Sequence, residues 1–140
     1  MRVWLYARLS NDDDREMNSL LNQREVCQAF AEQHGYIIMG QSFDDNISGM
    51  SFDRRGLDEL MAAVDADKID VVIVKDLSRL GRHRTQTALF IDYLREHQVR
   101  VISATEGIDT FRDEDDLIIG VRGLMNDYYA KDIGKKIRAG

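Results

Sequence analysis

The run IDVVIVK at residues 69–75 constrains the possible folds more than any other stretch of the chain. Residues 71–74 are all apolar and β-branched, and successive side chains of a strand point to opposite faces of a sheet. A strand with this pattern has apolar side chains on both faces, so each face has to be covered by other elements. Such burial is typical of parallel sheets with helices on both sides.

Strand-like and helix-like segments alternate along the first hundred residues. Short apolar runs predict strands, and apolar residues at spacings of three and four predict helices between them. The predicted strands cover residues 2–7, 36–43, 69–75 and 99–104, and the predicted helices cover residues 18–34, 54–66 and 84–97. This order predicts an α/β domain with a mainly parallel central sheet and helices on both faces.

The predicted helices have apolar positions that should face the sheet. These positions are Leu20, Leu21, Val26, Cys27, Phe30 and Ala31, then Leu57, Leu60, Met61 and Val64, then Ala88, Leu89, Ile91, Tyr93 and Leu94. Gly35 should end the first helix, and Asp53 should cap the N-terminus of the second. The single cysteine, Cys27, excludes an internal disulfide and a cysteine-based metal cage, and its place in an apolar pattern predicts a buried structural thiol.

Residues 113–140 are predicted to begin a long helix whose acidic first turn suits the helix dipole. Two apolar stripes run side by side along it, namely Leu117, Val121, Leu124 and Tyr128, and Ile118, Met125 and Tyr129. A helix that packs on a single core needs only one apolar stripe, so the second stripe predicts an interface with another subunit. Because the pattern runs to residue 140 without a cap, we expect the helix to continue in a longer parent protein. The 140 residues are expected to form one domain, an α/β core over about residues 1–110 followed by the start of this helix.

The length of 140 residues and the hydrophobic fraction of 44% suit a single domain with a buried core. No stretch approaches the roughly 20 apolar residues of a membrane span, and the N-terminus lacks the pattern of a secretory signal. We therefore expect a cytoplasmic protein without a membrane partner. The net charge of −6 argues against a domain that grips nucleic acid over a broad face, but residues 75–84 and 131–140 each carry a net charge of +3. The function is expected where this positive charge is concentrated.

Polar residues follow the predicted strands at the ends that should share one edge of the sheet. Arg8 and Ser10 follow the first strand, residues 44–48 follow the second, and residues 75–82 follow the third. Ligands of open α/β sheets bind outside the carboxyl ends of the strands. This edge is therefore the predicted active-site crevice.

An arginine cluster is predicted at this edge. Arg79 and Arg82 are three residues apart, so a helical turn would place both on one face, near Arg8. Forked guanidinium groups match a phosphate better than any other anion. Lys75 and Arg54 are further candidates for the same cluster.

Ser10 beside such a cluster is a candidate nucleophile toward phosphorus. A serine at a strand end can also simply cap a turn, and an arginine pair can be a solvated face that pairs with carboxylates. Asp44 and Asp45 could hold Mg²⁺, although a bare pair in a loop is more typical of a turn or of an arginine partner. No metal site is therefore predicted, and a structural interpretation of the individual residues stays open.

Four stretches, in this order and spacing, resemble the catalytic domain of the serine recombinases. They are YARLS at residues 6–10, SLLNQRE at 19–25, DNISGMSFDRRGLDEL at 45–60 and VVIVKDLSRLGR at 71–82. The family comprises resolvases, invertases and large serine integrases or transposases. The form KDLSRLGR and the ending YAKDIGKKIRAG are most similar to the large members found on mobile elements.

The resemblance implies roles for the matching residues. Ser10 is the implied nucleophile, and Arg8 is its phosphate-binding neighbour. Arg79 and Arg82 in SRLGR match the arginine pair that activates the phosphate and the leaving group.

Other matches imply supporting roles. Gln23 in SLLNQ matches the active-site glutamine of the family, and Arg54 in DRRGL matches the arginine of the loop before the second helix. The aspartate that the family has just before its arginine pair is Ser78 here. Asp76, two residues earlier, is the other candidate for its place.

The resemblance also implies a reaction. Ser10 would attack a phosphodiester of double-stranded DNA, which leaves a 5′-phosphoserine link and a free 3′ hydroxyl. Four subunits would cut two sites, exchange strands by rotation and reseal the DNA without metal, ATP or another cofactor. The expected partners are therefore DNA, a second subunit in a homodimer, and a synaptic homotetramer. The basic end of the last segment would follow DNA phosphates through Lys135, Lys136 and Arg138. Domains that recognise a DNA sequence would lie outside these 140 residues.

Two other functions use the same residues. A serine-dependent phosphohydrolase or phosphotransferase would use the arginine cluster on a small molecule. A non-catalytic protein would be either a doubly wound α/β interaction module or a receiver-like domain with Asp44, Asp45 and Lys75 as a phosphoacceptor site. A receiver has its acidic pair after the first strand, where this chain has Ser10, so that interpretation fits poorly.

Overall fold

A five-stranded sheet forms the centre of the computed structural model, which describes residues 1–10, 19–46, 54–80 and 84–111. The strands are β1 (Arg2–Ser10), β2 (Ile37–Asn46), β3 (Val71–Val74), β4 (Arg100–Ser103) and β5 (Ile108–Asp109), and the helices are α1 (Leu20–Gln33), α2 (Arg55–Asp65) and α3 (Arg84–Glu96). The strand order is β2-β1-β3-β4-β5, with β1 to β4 parallel and β5 antiparallel to β4. The predicted α/β class and mainly parallel sheet are confirmed.

Helices cover both faces of the sheet, as the apolar run in β3 predicted. Val71 and Ile73 pack with Cys27 and Ala31 of α1 on one face. The other two β3 residues belong to the core under α2 and α3, whose buried members are Tyr6, Leu60, Ala63, Val64, Ile69, Val72, Val74, Leu80, Ile91, Leu94, Val99 and Val101. All four β3 side chains are fully buried, so this strand separates the two cores.

Two short elements were not predicted. A 3-10 turn at Leu77–Leu80 follows β3, and β5 pairs with β4 through the register Ile102↔Asp109 and Ser103↔Ile108. Neither element is long enough to show an apolar period in the sequence.

Parts of the predicted helix faces are wrong. Leu21 and Leu89 are 63% and 65% exposed, and Ala88 is exposed as well. The buried stripe of α3 runs through Ile91 and Leu94, with Phe90 packed against the core beside them. At 3.6 residues per turn, Leu89 points away from that stripe, whereas Ala88 lies at its edge, one turn before Ile91.

The helix termini are partly as predicted. Ser19 caps α1, because its Oγ accepts a hydrogen bond from the Asn22 N–H at 3.0 Å, and Gly35 follows the helix with a φ of +67°. At α2, Arg54 occupies the N-cap and makes no side-chain capping bond. Asp53 and the predicted helix over residues 113–140 lie outside the described residues.

No helix in the described part of the chain is both long and apolar enough to cross a membrane. The described elements instead bury their apolar side chains against the central sheet.

The Cys27 thiol gives a test of the α1 core. Cys27 is 1% exposed, and burial, together with the nearby Asp76 carboxylate, raises the pKa of this thiol to about 12. The thiolate is the reactive form, so a pKa of about 12 instead of 9.0 makes it roughly a thousandfold scarcer near neutral pH. We expect iodoacetamide to label the folded protein far more slowly than the protein in denaturant, measured by mass spectrometry. Equal labelling rates in the two conditions would show that the α1 core opens readily.

Candidate active site

On the side of β3, the backbone of Arg8 is held by a glutamine side chain instead of by a strand, while β2 pairs with Arg8 on the other side. The pairing of β3 with β1 ends at Leu5↔Ile73, before β3 reaches the level of Arg8. The Gln23 side chain, fully buried on α1, accepts from the Arg8 N–H at 3.1 Å and donates to the Arg8 carbonyl at 2.9 Å. Gln23 therefore completes the strand with two hydrogen bonds and sets the position of Arg8.

Arg79 reaches the same peptide unit from the 3-10 turn after β3. Its guanidinium is 4% exposed, and its Nη1 donates to the Arg8 carbonyl at 2.9 Å. In return, the Arg8 Nη2 donates to the Ser78 carbonyl at 2.5 Å. Each guanidinium thus lies beside a backbone carbonyl near the other arginine, and these carbonyl dipoles allow two like charges to be buried together.

Asp76 is the carboxylate partner of Arg79. One oxygen, Oδ2, accepts from Arg79 Nε at 3.3 Å and from Nη2 at 3.1 Å. The other oxygen accepts from both the backbone N–H and the hydroxyl of Ser78. The sequence left open whether Asp76 or Ser78 stands beside the arginines, and the structure assigns that contact to Asp76.

Three arginines line one cavity of about 380 Å³ at the carboxyl ends of the strands. They are Arg8 from β1, Arg54 from the start of α2 and Arg79 from the turn after β3. This edge is a topological switch point, because the chain leaves β1 toward β2 on one side and β3 lies on the other. Of the predicted cluster of Arg8, Arg79 and Arg82, the first two line this cavity, together with the further candidate Arg54, while Arg82 lies outside the described residues.

Lys75 is held on the α1 side of the sheet. Its Nζ donates to Asn22 Oδ1 at 2.9 Å, and it is not among the described residues that line the arginine cavity. The prediction that Lys75 belongs to the arginine cluster is therefore wrong, in the sense that Lys75 does not line this cavity. Because Asn22 directly precedes Gln23 on α1, Lys75 contacts the helix that holds Arg8 in place.

The Asp44 carboxylate is buried and makes its hydrogen bonds within the protein. It is 1% exposed and accepts from the Tyr6 hydroxyl at 2.6 Å, the Gly56 N–H at 2.6 Å and the Leu57 N–H at 3.0 Å. Asp44 thus caps α2 from β2, which neither the turn nor the arginine-pairing interpretation predicted. Among the described residues, no group of three or more His, Cys, Asp and Glu side chains is placed to hold a metal ion.

The remaining predicted site residues are only partly described. Ser10 is the last residue of β1, in register with Asn46 of β2 and two residues beyond Arg8. The predictions for Arg82, Lys135, Lys136 and Arg138 lie outside the described residues.

The fold and the site define a doubly wound α/β domain with an arginine cluster at its switch point. The chain belongs to the resolvase family, because the N-terminal domain of that family matches residues 3–140. The predicted family is thereby confirmed.

Curated relatives and solved structures agree with this assignment. The transposon Tn3 resolvase of Escherichia coli is 31% identical over 121 residues, which cover 86% of this chain and 60% of that protein. The serine recombinase gin of Escherichia phage Mu is 28% identical over 135 residues, which cover 96% of this chain and 63% of that protein. The chain thus spans about three fifths of the length of these relatives.

Solved structures share the fold over nearly the whole chain. A resolvase family site-specific recombinase from Streptococcus pneumoniae matches with a TM-score of 0.76 and 27% identity, covering 100% of this chain and 95% of that one. The N-terminal catalytic domain of TP901-1 integrase matches with a TM-score of 0.74 and 23% identity, covering 94% and 98%. The second likeness concerns the fold alone.

Replacing Gln23 tests the link between α1 and β1. A Gln23→Leu substitution leaves the Arg8 N–H buried without its acceptor, which costs about 1–3 kcal/mol for one unsatisfied group. We expect the free energy of unfolding in urea to fall by that amount. Gln28→Leu is the matched control on the same helix, since Gln28 is exposed and its side chain donates to Glu32 at 3.2 Å on the surface of that helix. A loss no larger than that of the control would contradict the role assigned to Gln23.

Proposed function

We propose that this chain is the catalytic domain of a site-specific DNA recombinase in which Ser10 attacks a DNA phosphodiester. The observation that carries the proposal is the cavity lined by Arg8, Arg54 and Arg79 at the end of the strand that Ser10 terminates. Guanidinium groups bind phosphate oxygens through paired N–H donors. Membership of the resolvase family supports DNA as the source of the phosphate.

The proposed step conserves the energy of the bond that is cut. The Ser10 hydroxyl loses its proton and its oxygen forms a bond to phosphorus as the bond from phosphorus to the 3′ oxygen breaks. The departing 3′ oxygen takes up a proton, so the step is a transesterification with no net change in protons. The arginines stabilise the extra negative charge of the pentacoordinate phosphorus, an effect that is worth roughly a thousandfold or more for a single arginine in other phosphoryl transfers. Resealing is the reverse attack by a 3′ hydroxyl, so no ATP is consumed. Arg82 completes the arginine pair in this proposal.

The whole protein is proposed to act in the cytoplasm on double-stranded DNA as a dimer that pairs into a synaptic tetramer. The second apolar stripe, formed by Ile118, Met125 and Tyr129, supports an interface between subunits. Three basic residues near the end of the chain, Lys135, Lys136 and Arg138, are proposed to contact DNA phosphates.

The receiver-like alternative loses support from the geometry. A site of that type would use Asp44 together with Asp45 and Lys75. Asp45 is exposed, but the Asp44 carboxylate is buried under three hydrogen bonds and Lys75 donates to Asn22. A small-molecule phosphohydrolase would use the same arginine cavity, so an experiment has to distinguish that function from recombination.

Covalent trapping tests the nucleophile. The full-length protein is incubated, in EDTA, with a double-stranded fragment carrying the sequences that flank its gene, and protein–DNA adducts are resolved on a denaturing gel. We expect an adduct with the wild type and none with Ser10→Ala, because the phosphoserine link needs the hydroxyl. A gel shift controls for DNA binding, which Ser10→Ala should retain. An adduct formed by Ser10→Ala, or phosphate release from small esters without any adduct, would contradict the proposal.

The Asp76 contact gives a second test in the same assay. Asp76→Asn removes the charge that orients the Arg79 guanidinium, and a small misplacement of a catalytic group costs roughly a hundredfold in rate. We expect adduct formation to slow by about that factor at saturating DNA. Asp92→Asn is the matched control, since Asp92 also pairs with an arginine three residues on, Arg95, at 3.6 Å, but on the exposed surface of α3. Equal rates for the two variants would contradict an orienting role for Asp76.

A further inference from the structure

The first turn of α2 is bound to the sheet through two matched hydrogen-bond relays. In the first, the Tyr6 hydroxyl on β1 donates to Asp44 on β2, and Asp44 accepts the N–H groups of Gly56 and Leu57. The three donors occupy both carboxylate oxygens, and none of them is a cation. A carboxylate at this place also interacts favourably with the N-terminal end of the helix dipole.

The second relay lies one pleat earlier on the same two strands. The Trp4 Nε1 donates to Ser42 Oγ at 2.9 Å, and that hydroxyl donates to the Gly56 carbonyl at 2.6 Å. Gly40 makes room for the indole, because a Cβ at that position would lie 2.3 Å from Trp4 Cζ3. Both polar backbone groups of Gly56 are thus bound to side chains of β2, each of which accepts from an aromatic residue of β1.

Contact between α2 and β2 at Gly56 leaves no room for a side chain. A Cβ at Gly56 would lie 2.4 Å from the Phe43 carbonyl oxygen and 2.6 Å from its carbonyl carbon. Backbone atoms cannot be displaced as easily as the end of a flexible side chain. The start of α2 is therefore fixed at one distance from the sheet. The Phe43 backbone prevents a closer approach, and the hydrogen bonds of the Gly56 N–H and carbonyl prevent a separation.

Arg54 directly precedes this anchored turn. Its carbonyl accepts from the Asp58 N–H at 2.8 Å, which closes the first turn of the helix on it. Its side chain is exposed and lines the cavity that Arg8 and Arg79 share. A shift of the α2 start would move Arg54 relative to the other two arginines.

We propose that Tyr6 and Asp44 are positioning residues for the recombination reaction, which fix Arg54 opposite the Arg8–Arg79 pair by anchoring the first turn of α2. The inference rests on the proposed function. Tyr6 lies two residues before Arg8 on β1, and both Tyr6 and Asp44 line the arginine cavity. The relay therefore ties the segment that carries Arg54 to the strand that carries Arg8 and ends at Ser10.

A purely stabilising cap would act differently. Loss of a helix cap lowers the stability of the fold whatever residue occupies position 54. A positioning role acts through the guanidinium of Arg54, so its effect on the rate must vanish when that guanidinium is absent. Coupling between the two substitutions separates the two roles.

The test is a double-mutant cycle in the full-length protein, with the adduct assay on the gene-flanking fragment at saturating DNA. We expect Tyr6→Phe, which keeps the buried ring, to slow adduct formation by roughly ten- to a hundredfold with little change in DNA affinity. In an Arg54→Ala background, Tyr6→Phe should cause no further loss. Tyr36→Phe, on the other face of the sheet, is the matched control and should retain the wild-type rate.

Each other outcome is decisive. If Tyr6→Phe retains the wild-type rate, or multiplies the loss of Arg54→Ala, the positioning role is overturned while the proposed function stands. If the wild type and Tyr36→Phe form no adduct, the proposed function is overturned and the positioning role with it. Ser42→Ala, which breaks the second relay, is the second variant and should show the same dependence on Arg54 as Tyr6→Phe.

Discussion

The geometry of the arginine site depends on the two hydrogen bonds between Gln23 and the backbone of Arg8. They are needed because β1 continues past the point where β3 stops pairing with it, at Leu5. A peptide unit buried at that place has to find partners, and the partners come from side chains. The guanidinium of Arg79 adds a further donor to the same carbonyl. Three segments of the chain, β1, α1 and the turn after β3, therefore meet at one residue.

The charged side chains at this edge are oriented by hydrogen bonds to the backbone and to one another. Arg8 and Arg79 each donate to a carbonyl near the other arginine, and Asp76 supplies the carboxylate that orients Arg79. Asp44 lines the same cavity, but its charge is directed to the N-terminus of α2 and to Tyr6. The half-buried Asp76 carboxylate thus orients an arginine, and the buried Asp44 carboxylate positions a helix. That division explains how an acidic chain retains a basic cavity.

Much of the fold followed from apolar patterning, because burial imposes a period on the sequence. The four predicted strands and three predicted helices all exist, and the run at residues 71–74 correctly predicted a sheet covered on both faces. Leu21 and Leu89 show the limit of this method: an apolar residue next to a stripe looks like part of it, although its neighbours in space leave it in solvent. β5 is too short to show any period.

Like the fold, the site could be predicted from the sequence only in part. Sequence alone indicated that Arg8 and Arg79 would share one edge, because the ends of parallel strands meet there, and it left Arg54 as a further candidate. Only the tertiary structure decided that Asp76 reaches Arg79 and that Asp44 caps a helix that begins eleven residues later. The physical reason is that position along a strand is a local property, which periodicity records. The partner of a buried carboxylate is whichever donor the folded chain brings within about 3 Å, and no local pattern records that.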